Sequence, residues 1–284
     1  MNKTLIGKND ILFLINDISK ELEVHCNNFN LIKDETLSRY RFNNYYLFVY
    51  PDKSLIYKDF LPDEYIFKYR NALEIYKNKF KNKLFDLYEI LKDESDIYYK
   101  TDTHINVKGN YIVYRYFIKQ LNKILNINIT PINLDLQVIS CELSKLPHGL
   151  GDLTQEHNLG QQILNNKFDC FYFNDKIFFY NIYIIKNNNE IRFLNYNLVD
   201  ETILLEDKIC NWFIISDYII YKKNENKLPY KVIIYYDSFL LNIISLFFDL
   251  FNELYLIKNI YDNNIINLIN PDYIFEFRIE RFLL

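Results

Sequence analysis

Cysteine is scarce in the sequence, and its spacing argues against two kinds of site. The four cysteines, Cys26, Cys141, Cys170 and Cys210, are far apart and form no CxxC pair. A zinc knuckle or a disulfide framework needs cysteines at short or regular spacings. We therefore expect reduced and mostly buried thiols.

An excess of basic residues is also missing. The formal net charge is -4 and the sequence pI is about 5.7. A nucleic-acid binder needs a concentrated basic face to neutralise phosphates, so this class is not indicated. The nearest basic run, Lys77 to Lys83, lies in a stretch of helical periodicity and predicts a solvated helix face.

Long apolar runs are absent as well. The most apolar segment, Phe239 to Phe251, is interrupted by Asn242 and Asp249 and is too short to span a bilayer. The segment Met1 to Gly7 is short and polar and lacks the pattern of a secretory signal. The sequence as given therefore predicts a cytoplasmic protein without an integral membrane segment, or a periplasmic one if the true start lies upstream.

Apolar and aromatic residues are plentiful. Half of the residues are hydrophobic, and Tyr and Phe together supply 49 of the 284. This composition allows a sizeable core, with the aromatic residues placed first in strands and core.

Short apolar runs alternate with helical patterns at both ends of the chain, which favours one parallel α/β sheet built from both ends. No internal repeat and no linker rich in Pro, Gly or Ser interrupts the pattern. We predict a single domain over 1–284 with a β-rich insertion at 135–223. The predicted strands are Ile11 to Ile15, Tyr45 to Tyr50, Asp96 to Lys100, Lys167 to Phe173, Lys176 to Ile185, Asn189 to Asn195, Tyr230 to Tyr236, Tyr255 to Ile257 and Tyr273 to Phe277. The predicted helices are Glu64 to Leu91, Lys108 to Leu125, Phe239 to Leu254 and Asp262 to Ile269.

Ser238 occupies a position typical of a nucleophile. The apolar run Lys231 to Tyr236 ends in Asp237-Ser238 and passes at once into a helical pattern. This places the hydroxyl at the carboxyl end of a strand and at a helix N-terminus, where backbone N–H groups favour a developing oxyanion. The alternative is that Asp237 and Ser238 only cap the helix.

Asp102 and His104 supply the two groups that a serine nucleophile needs. They stand two apart in a polar stretch before the predicted helix at Lys108. A carboxylate can orient an imidazole, and the imidazole can then act as general base. By itself the pair is also compatible with a solvated loop or a metal site.

Several segments resemble the SGNH-like domains of alginate O-acetylation proteins of the AlgX and AlgJ type. The stretch Thr101 to Gly109 resembles their Asp-Thr-His-Trp-Asn-x-x-Gly signature, and Asp237 to Phe239 resembles their nucleophile block. Four further segments match in the family's order: Gly7 to Leu14, Tyr50 to Tyr57 with Leu61-Pro62, Gly151 to Leu153, and Asn270 to Asp272 with Glu280-Arg281.

This resemblance covers nearly the whole chain and implies an SGNH-like three-layer α/β/α sandwich with a parallel sheet. Ordinary SGNH hydrolases have the serine block first, whereas here Asp102 and His104 precede Ser238, which is the permuted order of the alginate proteins. The sequence departs from the family pattern at Ile105, where the family usually has Trp, and at Asp10-Ile11, which replace Gly-Trp. These departures concern substrate identity more than the triad.

Glycine is rare, and all five glycines lie in or beside the matching segments. A chain so poor in glycine is expected to keep it where the backbone geometry requires it. The loop Pro147 to Leu153 is therefore a candidate lip of the site, with Gly149, Gly151 and Asp152 as oxyanion or substrate candidates. An ordinary tight turn, with His148 as a surface residue, is the alternative.

The resemblance implies an enzyme with Ser238, His104 and Asp102 as catalytic triad, a mechanism that calls for neither a metal nor an organic cofactor. It would transfer an acyl group, in the first place acetyl, to a hydroxyl of a polysaccharide or glycan precursor, such as a capsule. Expected partners are the glycan acceptor, an acyl donor and other proteins of polysaccharide synthesis. The alternatives are a carbohydrate esterase, transfer of a phosphoryl-type group to a surface glycan, and a non-catalytic carbohydrate-binding module.

Overall fold

The computed structural model describes residues 3–27, 42–67, 70–142, 151–154, 167–173, 183–186, 190–193 and 219–283. The strands are β1 Thr4–Ile6, β2 Leu12–Leu14, β3 Tyr45–Tyr50, β4 Leu84–Asp86, β5 Leu136–Glu142, β6 Lys167–Phe173, β7 Tyr183–Lys186, β8 Glu190–Phe193, β9 Ile219–Lys223, β10 Leu228–Tyr236, β11 Phe251–Ile257 and β12 Tyr273–Ile279. The α-helices are α1 Glu21–Asn27, α2 Lys53–Ile56, α3 Asn71–Phe80, α4 Tyr88–Leu91, α5 Val107–Leu125 and α6 Asn263–Ile269, and a 3₁₀ helix spans Ser238–Phe247.

The main sheet has the strand order β4-β3-β12-β10-β11-β9-β7-β8. The first five of these strands run parallel, and the last three pair antiparallel at one edge. β3 from the first part of the chain lies beside β12 from the last part. The predicted sheet built from both ends of the sequence is therefore present.

Alternate residues of the parallel strands enter two separate cores, one on each face of the sheet. On β10, Val232, Ile234 and Tyr236 face the core formed with α5 and the 3₁₀ helix, whereas Ile233 and Tyr235 face the core formed with α3 and α6. A strand that is covered on both faces has to be apolar at nearly every position. The three-layer α/β/α sandwich predicted from the sequence is thus the observed fold.

The prediction of one long helix over Glu64 to Leu91 is wrong. Within this stretch the chain forms α3, a short 3₁₀ turn at Lys81–Lys83, the edge strand β4 and then α4. β4 is only three residues long, and pairing with β3 determines its conformation. A strand this short leaves too few positions to interrupt helical periodicity in the sequence.

The helix predicted over Phe239 to Leu254 is also different in the structure. It is a 3₁₀ helix that ends at Phe247, and the strand that follows begins at Phe251 rather than at Tyr255. Asp96 to Lys100 forms no regular strand, and only Tyr98 makes an isolated bridge, with Ile105. The predicted strand near Leu12 exists, but it pairs antiparallel with β1 outside the main sheet.

Most of the remaining predicted elements are confirmed, α5 and β6 almost to the residue. Of the strand predicted over Lys176 to Ile185, residues 176–182 lie outside the described residues, and the rest belongs to β7. In the 135–223 section the described residues include the strands β5 to β9 and a turn at 151–154. Among the described parts of the chain, no helix combines the length and the apolar character that crossing a membrane requires.

Candidate active site

Ser238 begins the 3₁₀ helix directly after β10, at the carboxyl end of the parallel strands. Asp237 is the N-cap, and its carboxylate accepts hydrogen bonds from the N–H of Phe239 at 2.9 Å and of Ile279 at 2.8 Å. It therefore connects the ends of β10 and β12 and fixes the turn that presents Ser238. This geometry gives Asp237 a structural role.

Asp102 and His104 lie in the loop that precedes α5. The Asn106 side chain caps this helix by accepting from the N–H of Gly109 at 3.0 Å, and the N–H of Asn106 donates to the carbonyl of Ile97 at 2.8 Å. Together with the bridge between Tyr98 and Ile105, these bonds close the base of the loop. The loop is therefore held at both ends.

Two asparagines hold α5 and its loop against the 3₁₀ helix. The amide of Asn110 donates to the carbonyl of Phe239 and to the side chain of Asn242, each at 2.5 Å. Asn242 in turn donates to the carbonyl of Ile105 at 3.0 Å. Asn110 is fully buried and also accepts from the hydroxyl of Tyr50 at 2.7 Å. These bonds bring two segments that are distant in sequence to one edge of the sheet.

The three residues predicted as a triad lie in contact. His104 Nε2 is 2.7 Å from Ser238 Oγ, and His104 Nδ1 is 2.5 Å from Asp102 Oδ1. The Asp102 carboxylate also accepts from the backbone N–H of His104 at 2.8 Å, which fixes its orientation. The imidazole packs against the ring of Phe239 with centroids 5.0 Å apart. Hydroxyl, imidazole and carboxylate are thus arranged in the order that activating a serine requires.

Several solved structures share this architecture, although no family profile and no curated protein matches the sequence. A DHHW family protein from Eubacterium siraeum superposes with a TM-score of 0.64 at 15% identity over 100% of this chain and 92% of its own. PatB1 from Bacillus cereus, solved with and without a sulfonyl adduct, gives 0.62 at 16% identity, covering 99% of this chain and 96% of its own. The O-acetyltransferase domain of Pseudomonas putida AlgJ gives 0.52 at 12% identity over 99% and 91%.

The chain has the SGNH-like fold of the AlgJ O-acetyltransferase domain. In this SGNH-like fold, the contact between Ser238 and His104 lies at the carboxyl edge of the parallel strands. In open α/β sheets this edge is where ligands usually bind. The family resemblance stated from the sequence and the fold of the structure therefore agree.

Asp152 provides a second carboxylate near the imidazole. It accepts from the N–H of Thr103 at 2.8 Å and from its hydroxyl at 2.5 Å, and it lies 3.8 Å from His104 Nδ1. Its own N–H donates to Asp102 at 3.1 Å. Through this N–H, Asp152 orients Asp102 in the structure, and an oxyanion or substrate role for Asp152 stays a prediction.

Gly151 and Gly149 were the other candidates of this loop. Gly151 has φ +80, and a Cβ built on it would lie 2.3 Å from the carbonyl oxygen of Thr101. Only glycine fits this close approach, as its rarity in the sequence suggested. Gly149 and His148 lie outside the described residues. An oxyanion role for Gly149 and Gly151 stays a prediction.

The charge states of Asp102 and His104 depend on each other. Burial alone raises the pKa of Asp102, but the hydrogen bond and charge of His104 outweigh it and lower this pKa to about 2. Burial lowers the pKa of His104, yet the hydrogen bond and charge of Asp102, with Asp152 adding to them, raise it above the ordinary value. Burial and the charge of Asp102 raise the pKa of Asp152. Asp102 is therefore the ionised partner of the imidazole.

Asp102, His104 and Asp152 also form a group that could hold a metal ion. One ligand atom from each lies within 4.8 Å of the others. In the structure the Asp102 oxygen bonds to His104, and the Asp152 oxygens bond to Thr103. These atoms are thus engaged in orienting the imidazole.

Sequence reasoning gave no role to a buried group of charges below the site. The Arg281 guanidinium donates to Asp52 at 2.8 Å and to Glu21 at 3.0 Å, and His25 Nε2 lies 3.1 Å from the other Asp52 oxygen. Arg281 also lies over the ring of Phe239, 5.4 Å from its centroid. The only signal in the sequence was that Asp52 and Arg281 fall in segments of the family resemblance.

Proposed function

We propose that the chain is a serine-dependent O-acyltransferase that moves an acyl group, in the first place acetyl, to a hydroxyl of a polysaccharide or glycan precursor. The observation that carries this proposal is the unbroken series of contacts from Ser238 through His104 to Asp102 at the carboxyl edge of the sheet. The AlgJ domain of the same fold is an O-acetyltransferase. PatB1, of the same fold, has been solved with a sulfonyl adduct, the product expected when a nucleophile attacks a sulfonyl reagent.

In the first half of the proposed reaction, Ser238 Oγ attacks the carbonyl carbon of the acyl donor while His104 Nε2 takes the hydroxyl proton. The imidazolium that forms is stabilised by ionised Asp102. The N–H of Phe239 is taken by Asp237, so the N–H of Ser238, at the start of the 3₁₀ helix, is the backbone donor that we propose for the oxyanion. When the tetrahedral intermediate collapses, the donor's leaving group takes the proton from His104, and the acyl group stays on Ser238.

In the second half, a sugar hydroxyl gives its proton to His104 and attacks the acyl-enzyme. Collapse of the second tetrahedral intermediate forms the sugar ester and returns the proton to Ser238 Oγ. Water in place of the sugar hydroxyl gives the carbohydrate esterase, which uses the same residues. We propose further that 1–284 is one catalytic domain carrying 135–223 as an insertion, and that it works with other proteins of polysaccharide synthesis.

The test combines labelling and turnover. The chain is incubated with a serine-directed phosphonate and with a chromogenic acetyl ester, and the mass of the intact protein is measured. We expect one phosphonate per chain, and Ser238→Ala should abolish both labelling and more than about 99.9% of the turnover. Ser245→Ala, on the same 3₁₀ helix, is the matched control and should behave like the unaltered chain. Labelling that persists in Ser238→Ala would refute the assignment of the nucleophile.

The acceptor is tested in the same assay. An added oligosaccharide should become acetylated, and the mass of the sugar reports the transfer. Release of acetate alone, with the sugar unchanged, would favour the esterase. Fractionation of cells followed by immunodetection distinguishes the cytoplasmic and periplasmic locations predicted from the sequence.

A further inference from the structure

Lys53 is a buried lysine that lies directly below the Asp102 loop. It is the first residue of α2, immediately after β3, and is only 2% exposed. Its ammonium donates to the carbonyls of Lys100 at 2.9 Å and of Asp102 at 3.0 Å, and it lies 5.7 Å from the centroid of the Phe13 ring. A buried ammonium requires such partners, because removing the charge from water is costly. The loop that carries Asp102 and His104 is thus anchored from below by one cation.

Carboxyl groups lie around Lys53, and two of them also act on His104. Three carboxyl groups favour the charged form of Lys53: Asp102 in the loop that carries His104, Asp152 in the neighbouring loop, and Glu21 in α1. Asp102 and Asp152 also act on His104, and both favour its protonated form. Arg281 acts on the imidazole in the opposite direction, and Lys53 is a second cation, bonded to the backbone of the loop that carries Asp102 and His104. With too little opposing charge, the two carboxylates would hold the imidazole as a cation over a wide range of pH. A cationic imidazole cannot accept the proton of Ser238.

We propose that Lys53 is a positioning residue, whose ammonium holds the Asp102 loop in place and whose positive charge offsets the two carboxylates so that His104 stays available as a base. The catalytic part of this inference rests on the proposed function. Asp52, the neighbour of Lys53, carries the opposite charge and is paired with Arg281 and His25 rather than with Lys53. Burial lowers the pKa of Lys53 to about 7 in spite of the carboxylates, so the cation is present on the acid side of neutrality.

Two substitutions separate the hydrogen bonds from the charge. Lys53→Gln keeps N–H donors for the two carbonyls but is neutral, whereas Lys53→Met removes both the donors and the charge. The titration of His104 is followed by NMR of its imidazole protons, assigned among the four histidines by comparison with His104→Gln. Removal of a nearby positive charge makes protonation easier. We therefore expect the midpoint of His104 to rise by about one pH unit in both variants.

Activity gives the second readout. The acid limb of the kcat/KM profile should move to higher pH by the same amount in both variants, and Lys53→Met should lose a further ten- to hundredfold at its optimum because the loop loses its anchor. Lys92→Gln is the matched control, since Lys92 is a partly exposed lysine that pairs with Glu89. It should leave both the midpoint and the profile unchanged.

An unchanged or lowered His104 midpoint in folded Lys53→Gln would overturn the inference. If Lys53→Met does not fold, Lys53→Gln alone decides the question, because it retains the donors to the loop. The NMR readout needs no turnover, so it distinguishes this inference from the proposed function. A chain without phosphonate labelling that still shows the shift would refute the enzyme and support the electrostatic role of Lys53.

Discussion

The substitution Asp102→Asn tests how two neighbouring carboxylates divide their roles at one imidazole. Asp102 Oδ1 lies 2.5 Å from His104 Nδ1, whereas the nearest oxygen of Asp152 lies 3.8 Å from the same atom. Asparagine keeps the size of Asp102 but removes its charge. With its NH₂ facing Nδ1, it forces the proton onto Nε2, so that His104 cannot accept from Ser238. With its oxygen facing Nδ1, the tautomer is kept, but the imidazolium loses its counter-ion.

The magnitude follows from the lost ion pair. At an effective dielectric constant of about 20, two unit charges roughly 4 Å apart attract by about 4 kcal/mol. Since about 1.4 kcal/mol corresponds to a factor of ten, the expected loss is about 10³-fold in kcat. The wrong tautomer would increase it towards 10⁴-fold. The pKa of His104 should fall at the same time, because burial is then opposed only by the more distant Asp152.

The assay is the pH dependence of kcat/KM on a chromogenic acetyl ester, with circular dichroism to verify folding. Asp152→Asn is the matched control, because Asp152 makes no hydrogen bond to the imidazole and should change kcat by less than about tenfold. Two results would refute the reasoning: a folded Asp102→Asn that keeps activity within tenfold of the unaltered chain, or an equal loss in Asp152→Asn.

Two further predictions concern stability. Burial, followed by repulsion from Asp52, raises the pKa of Glu21 from 4.5 to about 7. The protonated form of Glu21 therefore stabilises the fold at low pH, and this contribution is lost as the pH rises from 4.5 through 7. Compared with Glu21→Gln, the unaltered chain should lose roughly 3 kcal/mol of unfolding free energy across that window, measured by urea denaturation. If the unfolding free energies of the two chains changed with pH in parallel, the prediction would be contradicted. Asp237→Ala leaves the N–H groups of Phe239 and Ile279 without their acceptor and should destabilise the fold by about 2–3 kcal/mol, while Asp237→Asn should lose less. Thermal unfolding measures the difference, and an unchanged Tm in the alanine variant would count against the capping role.

The contact between His104 and Ser238 could be predicted from the sequence because each residue stands at a boundary with a clear local signal. An apolar strand ends just before Ser238, and the helix that follows His104 has strong amphipathic periodicity. Parallel strands bring such boundaries to one edge of a sheet. The order of the family segments then indicated which boundaries belong together. The local sequence pattern and the order of the family segments were therefore sufficient to predict that His104 and Ser238 lie in contact.

Other features depend on tertiary contacts that leave no local pattern. β4 is three residues long and owes its conformation to pairing with β3, so helical periodicity around it misled the prediction. The segment after Ser238 shows apolar spacing suited to an α-helix, yet it forms a 3₁₀ helix. Asn110 holds its first turn by donating to the carbonyl of Phe239, and the Asp237 carboxylate ties it to the end of β12 by accepting from the N–H groups of Phe239 and Ile279. Intrinsic helix preference is weak enough for such contacts to override it.

The buried charges below the site join two of the segments on which the family resemblance rests. Asp52 and Arg281 are 229 positions apart and bond to each other at 2.8 Å inside the protein. Removal of one partner would leave an uncompensated buried charge, which typically destabilises a protein by about 3–5 kcal/mol. Arg281 lies over Phe239, the residue after Ser238, and Lys53, the residue after Asp52, holds the carbonyl of Asp102. We therefore expect a change at Asp52 or Arg281 to disturb both halves of the site, although neither residue bonds to Ser238 or to the His104 ring.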